Sequence, residues 1–224
     1  MTMRAWIGYG GTFDPIHCGH LAVANAVRDA LDADVHLVPA ADPPHKDATH
    51  ADASHRARMV ELAVAGERGL RVDRRELARD RPSYSIDTLH EVRAEVGRET
   101  PVVWVIGADS LAQLHRWHRW RELFDTAHVL AAGRPGFSLD PAGFAQVDAE
   151  LAALIAARLR PLASLLDAPS GGIALLPMEP PRRESSTEIR RLAAAGDDGW
   201  RGQVPSPVAA YIDRHRLYAR ALPA

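Results

Sequence analysis

One cysteine, Cys18, stands in the whole 224-residue sequence. A lone thiol excludes an intramolecular disulfide and any zinc site built on several cysteines. Long apolar runs are also missing, and no stretch approaches the roughly 20 residues of a membrane-spanning helix. The first apolar run, Ala5-Trp6-Ile7-Gly8-Tyr9, is short and leads straight into a glycine pair, unlike the apolar core of a secretory signal. A soluble, cytoplasmic protein with no membrane partner is therefore expected. Nor is there an excess of charge of one sign. Lysine and arginine number 27 against 29 aspartates and glutamates, a formal net charge of -2. That balance gives no electrostatic case for a nucleic-acid partner or an anionic membrane. The eleven histidines are mostly scattered, which argues against a His-rich metal protein.

What is present is an ordinary globular balance, 46% apolar and 25% charged residues, in a chain long enough to bury a core without staples. The size suits one α/β domain, or one domain with an insertion. Short Val-, Ile- and Leu-rich runs at 5–10, 35–39, 70–73, 102–106, 128–132 and 173–177 read as strands covered on both faces. Helical patterns lie between them at 19–31, 55–65, 85–96, 110–114 with 119–124, and 187–195. This alternation predicts an α/β fold with a doubly wound parallel sheet and helices on both faces. Right-handed crossovers would bring every strand C-terminus to one ligand-binding edge. The stretch 137–172 breaks the rhythm. Its Ala- and Leu-rich part, 142–163, reads as a long helix within an insertion or extended crossover of a single domain spanning 1–224. Residues 206–222 read as a closing helix.

The first strand runs into Gly10-Gly11-Thr12-Phe13-Asp14-Pro15-Ile16-His17-Cys18-Gly19-His20 and then into an apolar helix. A strand, a glycine turn and a helix start form the usual phosphate site of α/β proteins. The glycine pair alone reads as a tight turn. His17 and His20, three residues apart, share one face of a first helical turn and read, taken alone, as a metal pair or as two surface residues. Gly19 permits close approach of a backbone or ligand, Asp14-Pro15 fixes a turn, and Cys18 reads as a small filler. A second helix start, Ser185-Ser186-Thr187-Glu188-Ile189-Arg190, is by itself a capping box. Beside the first motif its N–H groups, hydroxyls and Arg190 make a second phosphate cradle.

The whole first string resembles the signature of the nucleotidyltransferase superfamily, which includes class I aminoacyl-tRNA synthetases. The second resembles the Ile-Ser-Ser-Thr-x-Ile-Arg motif of nicotinate-mononucleotide adenylyltransferases, although Glu184 stands where that family usually has an aliphatic residue. Pro43-Pro44-His45-Lys46, Arg81-Pro82-Ser83-Tyr84-Ser85-Ile86-Asp87-Thr88-Leu89, Ile106-Gly107-Ala108-Asp109-Ser110-Leu111, Trp117-His118-Arg119-Trp120 and Gly133-Arg134-Pro135-Gly136 extend the likeness over residues 9–190. The resemblance implies a Rossmann-like fold and a set of roles. Gly10, Gly11, Thr12 and Phe13 would line the cleft between two nucleotides. His17 and His20, the catalytic pair, would hold the ATP phosphates with Ser185, Thr187 and Arg190. Gly107 and Asp109 would meet the adenosine. Thr88 and Trp117 would flank the nicotinate ring, with His45, Lys46 and Arg134 near phosphates.

The implied reaction joins ATP and nicotinate mononucleotide into nicotinate adenine dinucleotide and releases pyrophosphate. Mg²⁺ is expected to arrive with ATP, since the chain shows no dedicated carboxylate cage. The nearest alternative is the same chemistry on nicotinamide mononucleotide or another phosphate acceptor. A dinucleotide-binding oxidoreductase or a nucleotide sensor is of another class. Gly8-x-Gly10-Gly11 does not continue as the Gly-x-Gly-x-x-Gly of dehydrogenases, and a sensor has no need of the histidine pair.

Overall fold

The computed structural model describes residues 5–41, 49–79, 82–133 and 148–219. Strands β1 (Trp6–Gly11), β2 (Val35–Pro39), β3 (Leu70–Val72), β4 (Val102–Gly107), β5 (His128–Ala132) and β6 (Ile173–Leu176) form one sheet in the order β3-β2-β1-β4-β5-β6. Every pairing is parallel. Among the described residues the helices are α1 (Cys18–Leu31), α2 (Ala53–Val64), α3 (Ser85–Val96), α4 (Ala108–Leu111), α5 (Leu123–Thr126), α6 (Ala149–Arg158), α7 (Ser186–Ala195) and α8 (Ser206–His215). The doubly wound α/β sheet read from the sequence is the fold observed.

Strand side chains alternate between two cores. Val103 and Val105 of β4 join Ile7 and Leu37 on one face, under Val27 of α1, Val60 of α2 and Ile212 of α8. Val102, Trp104 and Ile106 join Trp6 and Val129 on the other, under Leu89 of α3, Phe124 of α5 and Ile155 of α6. Burial on both faces is why these strands read as continuous apolar runs. After β1 the chain winds outward through β2 and β3, then returns to place β4 on the other flank of β1. The carboxyl ends of β1 and β4 thus flank a topological switch point, where doubly wound sheets open a crevice.

Three expectations need correction. The helix expected at 142–163 covers Ala149–Arg158, with Asp148 as its N-cap accepting from the N–H of Leu151; residues 142–147 lie outside the described set. It stops because Leu159 bridges to Ile173, the N–H of Arg160 donates to the Ile173 carbonyl at 2.8 Å, and Pro161 cannot continue a helix. A 3₁₀ turn, Leu162–Asp167, follows. The closing helix ends at His215 rather than 222, where Arg216 turns left-handed and donates to the Asp213 carbonyl. The segments at 110–114 and 119–124 are the short helices α4 and α5, with 3₁₀ turns Leu114–Arg116 and Trp120–Glu122 between them.

A buried histidine fixes the far edge of the sheet. His128 opens β5 and is 2% exposed. Its Nδ1 accepts the N–H of Gly172 at 2.9 Å, so the ring proton stays on Nε2, 2.7 Å from the Ala168 carbonyl that accepts it. Burial lowers the imidazole below its ordinary 6.5, and a second proton would have to enter at Nδ1, against an N–H donor. A base whose folded pKa is depressed supports the fold fully above its unfolded value and loses that support as pH falls below it. Urea unfolding from about pH 7.5 down to about pH 5 should therefore show falling stability, and His128→Gln should flatten that dependence. An identical slope in the variant would refute this role for His128.

Candidate active site

The site begins where β1 runs out. A Cβ at Gly10 would lie 2.3 Å from Cζ2 of Trp104, and one at Gly8 would lie 2.4 Å from the Trp6 ring. Glycine at these places lets the two indoles stack at 6.3 Å, their planes nearly parallel, directly against the strand. Phe13 then takes a positive φ of 50°, a sparsely populated backbone state for an aromatic residue. Its ring packs edge-on against Tyr9 at 5.7 Å and against His20 at 5.0 Å.

Distant parts of the chain hold this turn. The Asp14 carboxylate accepts the N–H groups of His50 at 2.8 Å and Ala51 at 3.2 Å, and the phenol of Tyr218 at 2.8 Å. The Asp14 carbonyl accepts Arg190 of α7 at 2.7 Å, and the Pro15 carbonyl accepts the Ser186 hydroxyl at 3.0 Å. The Thr12 carbonyl accepts Arg56 at 2.7 Å. Arg56 is fully buried. Its guanidinium also donates to the carbonyls of Ala40, Ala41 and Ala51.

The turn delivers His17 as the N-cap of α1. The His17 N–H donates to Nδ1 of His20 at 3.2 Å, and the His20 N–H donates to Nδ1 of His17 at 3.3 Å. This is a reciprocal capping box made by two imidazoles. The rings stack at 3.6 Å. Since each Nδ1 accepts, the hydrogen-bond pattern assigns the proton of each neutral ring to Nε2. Two N–H donors therefore stand at a helix N-terminus, the positive end of its dipole.

Helix α7 brings its own N-terminus to the same place. Ser185 caps it, accepting the Glu188 N–H at 3.1 Å, while Thr187 and Arg190 line a cleft of about 600 Å³ with His17, His20 and the β1 turn. Arg182 and Glu184, an ion pair, also border the cleft. Gly19 leaves room for the His17 ring, which a Cβ there would approach to 3.1 Å, and lies beside the Glu184 carboxylate.

A second cavity, about 300 Å³, shares Gly10, Gly11, Thr12, Gly107, Asp109 and Ser110 with the first. It extends over the opposite side of the switch point, walled by Trp104, Trp117, Glu76, and Tyr84 with His118, whose rings lie 4.3 Å apart. The structure thus brings Gly10, Gly11, Thr12, Phe13, His17, His20, Gly107, Asp109, Ser185, Thr187 and Arg190 around the first cavity and Trp117 onto the second. Thr88 is in neither lining. Fully buried, it donates to the Glu76 carboxylate at 2.6 Å and accepts from Arg79 at 3.0 Å, so it braces the cavity wall from behind. Burial pushes the Glu76 carboxyl above its ordinary value, against the opposing effect of the Thr88 bond. His45, Lys46 and Arg134 lie outside the described residues.

Sequence reasoning overlooked Arg56, Tyr218 and the anchoring carboxylate of Asp14. Arg56 left one signal: it falls on the apolar stripe that Met59, Val60 and Ala63 continue. An arginine on a buried stripe must find acceptors inside the protein. Tyr218 left none, because the fold alone carries it across to Asp14.

A doubly wound sheet with a cleft at its switch point, faced by two helix N-termini and a histidine pair, defines a nucleotide-binding α/β protein of the transferase kind. The cytidylyltransferase-like family matches residues 8–192. A Stenotrophomonas maltophilia protein named "Probable nicotinate-nucleotide adenylyltransferase" is 44% identical over the whole of both chains. One of the same name from Laribacter hongkongensis is 45% identical, covering 99% of this chain and 98% of its own. The chain belongs to the nicotinate-nucleotide adenylyltransferase family and is a nucleotidyltransferase. Its fold is shared with the Plasmodium falciparum nicotinic acid mononucleotide adenylyltransferase complexed with NaAD. There the TM-score is 0.71 at 17% identity, over 96% of this chain and 97% of that one.

The contact between Gly10 and Trp104 is testable. Gly10→Ala should cost about 1–3 kcal/mol in urea unfolding, the usual penalty of overpacking. In a Trp104→Phe background, where the ring is shorter, the same substitution should cost clearly less. Equal costs in the two backgrounds would show that the indole does not set this limit.

Proposed function

We propose that the protein transfers the adenylyl group of ATP to nicotinate mononucleotide, giving nicotinate adenine dinucleotide and pyrophosphate. The observation that carries the reading is the pair of cavities meeting over Gly10-Gly11-Thr12 and Asp109. The polar cavity suits a triphosphate under two helix N-termini, and the aromatic one suits a flat pyridine ring. The names of the close relatives support the choice of acceptor.

A phosphate oxygen of the mononucleotide attacks the α-phosphorus in line. A P–O bond forms to the acceptor, and the bond to the β-phosphate breaks, its electron pair leaving with pyrophosphate. Such transfers need positioning and charge stabilisation more than covalent help. The Nε2–H groups of His17 and His20, the start of α7 and Arg190 meet the charge that moves toward the leaving group. The shared wall at Gly10 and Gly11 lets the two nucleotides approach without side chains between them.

A divalent ion such as Mg²⁺, when bound with ATP, would supply neutralising charge at the triphosphate. Among the described residues no group of three or more His, Cys, Asp or Glu is placed to hold a metal ion. The lining of the phosphate cleft does offer the carboxylates of Asp109 and Glu184. That donor set fits an ion held mainly by phosphate and water, with one or two protein oxygens.

Two measurements test the reading. Pyrophosphate release from ATP should appear only when nicotinate mononucleotide is added, and faster than with nicotinamide mononucleotide; preference for the amide would reassign the acceptor. His20→Ala should lower kcat by about 10²–10³-fold, the scale of losing one transition-state donor, while KM for ATP changes far less. If KM for ATP carried the whole loss instead, His20 would be a binding residue only.

A further inference from the structure

We propose that Tyr218, three residues beyond the end of α8, is a positioning residue for adenylyl transfer, acting through Asp14 on the turn that presents Thr12 and the histidine pair. This role rests on the adenylyl-transfer reading.

Unusual backbone states stand at Tyr218 and immediately before Asp14. Phe13, before Asp14, has φ 50°, and Tyr218 itself has φ 63°, two residues after Arg216 at 51°. Two left-handed residues so close together turn the chain after α8 back toward the β1 turn. Bulky residues adopt this region rarely, and such outliers persist where the surroundings over-determine them. Here hydrogen bonds supply that restraint. The phenol donates to Asp14 Oδ1 at 2.8 Å, the same oxygen that accepts the Ala51 N–H at 3.2 Å, while Oδ2 accepts the His50 N–H at 2.8 Å. Burial and the Asp14 charge hold the phenol above its ordinary pKa, so it remains a donor. Asp14 is three residues from His17, and its own carbonyl is the acceptor for Arg190. Losing the phenol leaves Oδ1 with a single long bond, at the residue where the turn is fixed to α7 and to the start of α2.

Tyr211 is a matched control. It lies in α8, and its hydroxyl bonds Nδ1 of His55 at 2.9 Å, on α2 and outside the lining of both cavities. Removing that hydroxyl takes one tyrosine hydrogen bond from the same C-terminal region without touching Asp14.

The test is steady-state pyrophosphate release by the full chain. Tyr218→Phe should lower kcat roughly tenfold, with KM for the mononucleotide within about twofold of the parent, and should melt close to Tyr211→Phe. Tyr211→Phe should turn over at the parental rate. In a double-mutant cycle with Asp14→Asn, the combined variant should be no slower than Asp14→Asn alone, because both remove the same restraint. Parental turnover by Tyr218→Phe, an equal loss in Tyr211→Phe, or multiplying losses in the cycle would each overturn the role. A parent that releases no mononucleotide-dependent pyrophosphate overturns the functional reading and this role with it. An active parent with an unchanged Tyr218→Phe overturns this role alone.

Discussion

The guanidinium of Arg56 lies wholly inside the protein and donates to the carbonyls of Thr12, Ala40, Ala41 and Ala51. Taking a cation out of water costs several kcal/mol even after relaxation, so it persists only where fixed dipoles replace the lost hydration. The carbonyls that do so belong to three separate pieces: the turn after β1, the loop after β2 and the entry to α2. One side chain therefore fixes the relative positions of the backbone that edges the cleft. A planar fork with five N–H donors can do this; an ammonium on a flexible stem has three donors and no fixed plane. The Asp14 carboxylate works on the same strip from the other side, since the N–H groups it accepts come from His50 and Ala51.

With the turn fixed, the electrostatics of the cleft follow. Two helix N-termini, those of α1 and α7, face one space, and each carries the partial positive charge of its dipole. The reciprocal cap at α1 uses both Nδ1 atoms, so the histidines keep an N–H on Nε2 without needing a full charge. Arg182 is largely offset by Glu184. The donors that the described residues turn toward the cleft then include backbone N–H groups, the imidazoles of the α1 cap and Arg190. Such groups are already oriented before charge develops, which is where preorganisation gains most over water.

Much of this was legible in the sequence. Parallel strands buried on both faces must be apolar throughout, so all the strands of the sheet announced themselves. The glycine turn and the serine cap are local chemistry that spacing reveals. The misses share a cause: they depend on what lies across space. The Ala- and Leu-rich stretch around α6 has helical propensity beyond Arg158, but Leu159 and Arg160 are recruited by β6, so tertiary pairing overrides propensity. Thr88 sits near the second cavity in sequence, yet helix phase turns it onto Glu76. Ser83, Tyr84 and Ser85, about one turn earlier, are the residues of that segment that line the cavity.

The residues around the cleft divide into those that face the ligand space and those that fix the ones that do. The first group comes largely from the two motifs. The second, Arg56, Ala51 and Tyr218, is drawn from elements distant in sequence and acts on Thr12 and Asp14 through hydrogen bonds behind the turn. Arg190 belongs to both: it lines the cleft while donating to the Asp14 carbonyl. In a reaction that asks for alignment of two phosphates more than for covalent chemistry, displacements of about 1 Å cost large factors in rate. Side chains that never meet a phosphate can therefore govern turnover as strongly as those that do. The signature motif of this family is then best understood as a surface whose shape is set by the rest of the chain.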